Sequence, residues 1–255
     1  MTGRLASLLA VLVLATQVQA GPALADHAAD CRLGELQIDR NFPLPQVARA
    51  LAAKQLSILV IGAGSSLLPG TSGAANAYPA RLQHALAEKL PGVEVKLATD
   101  VKAKHSAAEM VKSLAPALSS AKPALVIWQT GTVDAMQGID QDQFSQALDK
   151  GINIARSAGA DVVFINPQYS PRTESMIALG TYAENMRWVA VQKEVLLFDR
   201  FSIMKLWSDL GTFDFYSATK KLDIAESVHD CIGRLLAGLV IEAAKPSEPQ
   251  AEGGR

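Results

Sequence analysis

The chain has 255 residues, with 24 basic and 25 acidic side chains and a formal net charge of −1. That balance offers no basic stripe to nucleic acid, and an aromatic content of 5% leaves few rings for stacking bases or lining a carbohydrate groove. The length suits one large α/β domain with a substantial core.

The first segment reads as an export signal. Arg4 is followed by an apolar stretch over residues 5–15 and by Val18-Gln19-Ala20, which together predict a secretory signal peptide over residues 1–20. Ala23-Leu24-Ala25 offers a second cleavage site near residue 25. The apolar run of about 11 residues falls short of the ~20 that a spanning helix needs. No integral membrane span is therefore expected after cleavage, and the mature protein is expected in the periplasm or secreted.

Cys31 and Cys231 lie near opposite ends of the mature chain. Export permits a disulfide, and an even count suits one. Such a bridge would tie an N-terminal arm to the last helix and contribute about 4 to 5 kcal/mol by closing so long a loop. Two cysteines without a nearby histidine pair do not make a zinc site.

A short helix is predicted over residues 44–54, with Pro45 near its start. The run Leu56-Ser57-Ile58-Leu59-Val60-Ile61 has the character of a buried parallel strand and stops at Gly62. A Gly/Ser/Ala loop follows, carrying Ser65 and Ser66. A helix from Pro79 ends before Pro91-Gly92, and residues 93–97 alternate as a second strand. Further strands are predicted over 124–128, 161–165 and 195–198. Helices are predicted over 106–119 (bent at Pro116), 142–157, 173–189, 200–209 and 224–244. Alternating strands and helices imply a five-stranded parallel sheet with right-handed crossovers in a three-layer α/β/α domain over residues 26–245. Residues 246–255 are polar and are expected to form a disordered tail.

In such a sheet, ligands sit outside the carboxyl ends of the strands, where Ser65 and Ser66 are placed. Gly62-Ala63-Gly64 with Asp100 after the second strand suggests a dinucleotide site. However, Leu67 occupies the third glycine position and the next helix opens a dozen residues too late to meet a pyrophosphate. No cofactor is expected. Asp134, Asp140 and Asp142 are spaced as loop and cap acids, and no metal site is expected either.

Gly64-Ser65-Ser66-Leu67-Leu68-Pro69-Gly70 resembles the Gly-Asp-Ser-Leu block of the SGNH/GDSL hydrolases, and Tyr78-Pro79 opens the next helix as it often does in that family. Trp128-Gln129-Thr130-Gly131-Thr132-Val133-Asp134 resembles the third block, and Glu226-Ser227-Val228-His229 resembles the last, with glutamate for aspartate. The resemblance implies a flavodoxin-like sheet and hydrolysis of acyl or acetyl esters by serine. It assigns Ser66 (or Ser65) as nucleophile, His229 as base, and Glu226 as the group that orients it. Backbone N–H groups near Ser66 and Gly131 would hold the oxyanion, with Gly64, Asp134 and His105 as further oxyanion or binding residues, and His105 is also an alternative base.

The chain departs from the pattern at defined points. No glycine lies between Gly92 and Gly131, where the second block has one, and Val133 replaces the side-chain donor of the third. If Gly62 is taken as the motif glycine, Gly64 falls at the nucleophile position with Ser65 beside it. Asp223-Ile224-Ala225-Glu226 also reads as a helix start, which would put His229 on a helix rather than in a loop. Two functions follow: an exported serine esterase or deacetylase on small acyl esters, those of envelope glycans included, or a catalytically degenerate binding module of the same fold in the periplasm.

Overall fold

The computed structural model describes residues 31–34, 36, 38, 40–216 and 222–245. The predicted signal peptide and the tail beyond residue 245 lie outside them. Five strands form one all-parallel sheet in the order β2-β1-β3-β4-β5: β1 Gln55–Gly62, β2 Glu94–Val101, β3 Leu125–Gln129, β4 Asp161–Ile165 and β5 Leu196–Phe198. This is the flavodoxin-like order, with the topological switch between β1 and β3.

The strands are apolar on both faces because helices cover both. Along β1, Leu56, Ile58 and Val60 enter one core, while Leu59 and Ile61 enter the other. The first core is closed by α1 (Pro45–Ala52), α3 (Tyr78–Lys89), α9 (Arg200–Asp209) and α10 (Leu222–Ala243). The second is closed by α4 (Ala107–Ala121), α6 (Gln141–Ser157) and α8 (Leu179–Gln192). β2, one of the two edge strands, keeps the half-buried alternation of its sequence and runs four residues beyond the predicted end to Val101.

Two close approaches fix the helix positions. A Cβ at Gly151 of α6 would lie 2.2 Å from the Trp128 ring, and one at Gly233 of α10 would lie 2.8 Å from the backbone of α3. Asp161, at the start of β4, accepts the N–H groups of Gln46 (2.7 Å) and Val47 (2.9 Å) and so caps α1 across the sheet.

The predicted helix over 173–189 is two helices, α7 (Pro171–Glu174) and α8. Ser170 caps α7 by accepting the Thr173 N–H, and Glu174 takes the Gly180 N–H, so the chain leaves the helix over 175–178. Three short elements escaped the sequence pattern: a 3₁₀ turn at Gly64–Ser66, α2 (Gly73–Asn76) and α5 (Thr132–Gln137). Cys31 and Cys231 form the expected disulfide. Among the described residues, no helix is long and apolar enough to cross a membrane.

Candidate active site

The carboxyl ends of β1 and β3 bring Ser65, Ser66 and Gln129 together. Ser66 Oγ–H donates to Gln129 Oε1, which spends its only hydrogen. The Tyr78 hydroxyl, 3.1 Å from Ser66 Oγ, must therefore be the donor of that contact. Gln129 Nε2 in turn donates to Ser65 Oγ over 2.5 Å. The result is a directed chain, Tyr78 to Ser66 to Gln129 to Ser65, in which each bond polarises the next. Ser65 ends it, and its own hydrogen has no acceptor among the described residues.

The two serines thus occupy different environments. Ser66 is wholly buried, and Gly62 makes room for it, since a Cβ there would lie 2.2 Å from Ser66 Oγ. Ser65 is half-buried and lines a cleft of about 650 Å³ together with Gly64, Lys104, Val133, Gln168 and His229. Gly64 opens onto the same cleft, and a Cβ built on it would meet nothing within 4 Å.

His229 sits in the second turn of α10, as the helix-start reading of Asp223 and Glu226 predicts and unlike the loop position of the family pattern. Its Nδ1 accepts the backbone N–H of Tyr78 over 2.9 Å. A nitrogen that accepts carries no proton, so the hydrogen of the neutral ring is on Nε2. Burial, aided by the positive charge of Arg200, pushes His229 down to about 3, so the ring is neutral across the physiological range. Glu226 does not orient it: that carboxylate accepts from Asn76 Nδ2 at 2.9 Å, and Asn76 Oδ1 in turn accepts from Arg81 at 2.6 Å.

The remaining predicted groups lie off the cleft. Asp134 is buried and its carboxylate accepts the backbone N–H groups of Ala107, Gly131 and its own residue, so it caps α4. Gly131 accordingly aims its N–H at Asp134 rather than at an oxyanion, and its φ of 94° lets the backbone pass within reach of Pro167. His105 is half-buried before α4 and is not part of the cleft wall.

Sequence reasoning missed Arg200, which is 1% exposed. Its guanidinium donates to the Ser65 carbonyl at 3.0 Å and to Gln168 Oε1 at 3.1 Å, and it stands 6.0 Å from the centre of the Tyr78 ring. Burial lowers it to about 10, which still leaves it charged at neutral pH. The neighbouring Asp199 does not neutralise it, because that carboxylate pairs with Arg187 at 2.7 Å and accepts from Asn166 at 2.7 Å. Both Gln129 and Arg200 stand at the carboxyl ends of strands, the place where the topology locates ligand-binding groups.

No curated protein matches the chain in sequence. Among solved structures, TesA is similar at 23% identity and a TM-score of 0.52, over 74% of this chain and 98% of that one. A putative lipolytic protein of the G-D-S-L family from Desulfitobacterium hafniense gives 15% and 0.55, over 73% and 99%. A catalytic mutant of Axe2, an acetylxylan esterase from Geobacillus stearothermophilus, gives 14% and 0.58, over 76% and 97%. These likenesses carry the fold, an SGNH-type α/β/α domain as the sequence blocks predict. The profile of the non-GDSL lipase-like family matches residues 30–246, and the chain belongs to that family.

Proposed function

We propose that the chain is an exported hydrolase of small acyl esters, those of envelope glycans included, with Ser65 as its nucleophile. The observation that carries this reading is the end of the hydrogen-bonded chain: Ser65 alone of the two serines faces the cleft, with a proton that has no acceptor among the described residues and an N–H donor at its oxygen. Gln129 Nε2–H and the guanidinium bound to the Ser65 carbonyl both favour negative charge on that hydroxyl oxygen. His229, on the same cleft, is the group within the site that could receive the proton. To do so it must first release the Tyr78 N–H and expose an unprotonated nitrogen to Ser65. The signal-peptide pattern and the disulfide support a periplasmic or secreted location.

A second reading, a binding module of the same fold without turnover, is favoured by one observation. The acid–base pair is not assembled, since His229 Nδ1 is held by Tyr78 and Glu226 by Asn76. The cleft then presents His229 Nε2–H as a fixed neutral donor to a carbonyl or hydroxyl of its ligand.

Labelling of the purified chain with a fluorophosphonate, read by intact mass and peptide mapping, separates the two. An adduct on Ser65 supports the hydrolase. A folded chain that stays unlabelled beside a reactive control esterase supports the binding module.

A further inference from the structure

Arg200 also lines a second cavity, which adjoins the cleft at His229. It holds about 300 Å³ and shares Gln168, Ala225 and His229 with the cleft as a common wall. Its own lining is a buried cation among rings and aliphatic groups: Arg200, Tyr169, Phe215, Tyr216 and Ile224, with exposed Arg172 at the rim.

No group among the described residues balances the charge of Arg200. Two neutral oxygens, the Ser65 carbonyl and Gln168 Oε1, take two of its five N–H hydrogens, and Nε has no partner among the described residues. No carboxylate of the described residues pairs with it.

 An exposed ion pair contributes little, whereas a buried charge without a counter-ion is costly.

We propose that this second cavity is a carboxylate-binding subsite, with Arg200 as the counter-ion of a ligand whose acid group sits on a compact apolar body, an aromatic ring fitting best. A guanidinium presents paired donors that match the two oxygens of a carboxylate, and three of its N–H hydrogens remain unspent. The rings of Tyr169 and Phe215 supply apolar faces and edges for the body of the ligand. Asp199, the adjacent carboxylate in sequence, is held by Arg187 and Asn166 and does not compete. The inference goes beyond ester hydrolysis: it concerns a different cavity and holds whether or not Ser65 reacts.

The test is isothermal titration calorimetry of the full chain, disulfide intact, at low salt with 3-phenylpropionate and its uncharged analogue 3-phenylpropanamide. The expected result is saturable binding of the acid and at least tenfold weaker binding of the amide. Arg200→Gln should abolish the difference between them. Because loss of Arg200 risks the fold, Ile224→Asp is the second variant: it places an internal counter-ion at the half-buried wall and should weaken the acid at least tenfold with an unchanged circular dichroism spectrum. No saturable binding of the acid to folded wild type, equal binding of acid and amide, or undiminished binding by folded Ile224→Asp would each overturn the proposal.

Discussion

The backbone N–H of Tyr78 donates to His229 Nδ1 across 2.9 Å, joining the first residue of α3 to the second turn of α10. A protonated imidazole cannot accept that bond, so folding holds the ring neutral. The folded value, about 3, lies below the ordinary 6.5, and the unfolded chain therefore binds a proton that the folded chain refuses. Stability should be unaffected above about pH 7 and should fall as pH drops through 6.5 toward 3, by up to about 5 kcal/mol at 1.36 kcal/mol per unit. Urea unfolding across that range checks the slope, and the NMR titration of His229 should show no midpoint above pH 5.

The serines should separate by stability as well as by reactivity. Ser66→Ala leaves the Tyr78 hydroxyl and Gln129 Oε1 without partners in a buried space, at about 1–3 kcal/mol. Ser65→Ala removes a half-buried hydroxyl and should cost under about 1 kcal/mol. Chemical denaturation gives the stabilities. A fluorophosphonate adduct should vanish in Ser65→Ala and persist in folded Ser66→Ala.

Gly62 and Gly64 should respond in opposite ways. At Gly62 a Cβ would lie 2.2 Å from Ser66 Oγ, so Gly62→Ala must displace the serine and should cost about 1–3 kcal/mol. At Gly64 the space is open, and Gly64→Ser should melt within a few degrees of wild type while adding a second hydroxyl to the cleft. Thermal melts of both variants settle the comparison.

Most of the architecture was legible because strand and helix periods are local properties. All five strands were found within a few residues, and the parallel sense of the sheet follows from their alternation with helices, whereas the strand order was implied only by the family resemblance. The site was legible only to the level of strand ends. Whether Ser65 or Ser66 faces solvent depends on Tyr78 and Gln129, the latter 63 positions from Ser66, and no local pattern encodes that contact. Glu226 and His229 keep a familiar spacing, yet Asn76, 150 positions away, takes the carboxylate. Arg200 could have been found, since it lies two residues beyond the end of the fifth strand, but its lack of a carboxylate partner among the described residues is visible only in three dimensions.

The disulfide should contribute measurably. Cys31 and Cys231 are 200 positions apart, and closing such a loop is worth about 5 kcal/mol in the chain-entropy account. Unfolding in urea with and without reductant should shift the midpoint accordingly, and Cys31→Ser with Cys231→Ser should reproduce the reduced value.

The same bond gives the protein the topology of a covalent ring. Among the described residues, every strand and every helix except the last half of α10 lies between residues 31 and 231. A protease that cuts one exposed loop in this span opens the ring without releasing either piece. The nicked protein should run as one band on a non-reducing gel and as two once the thiols are freed.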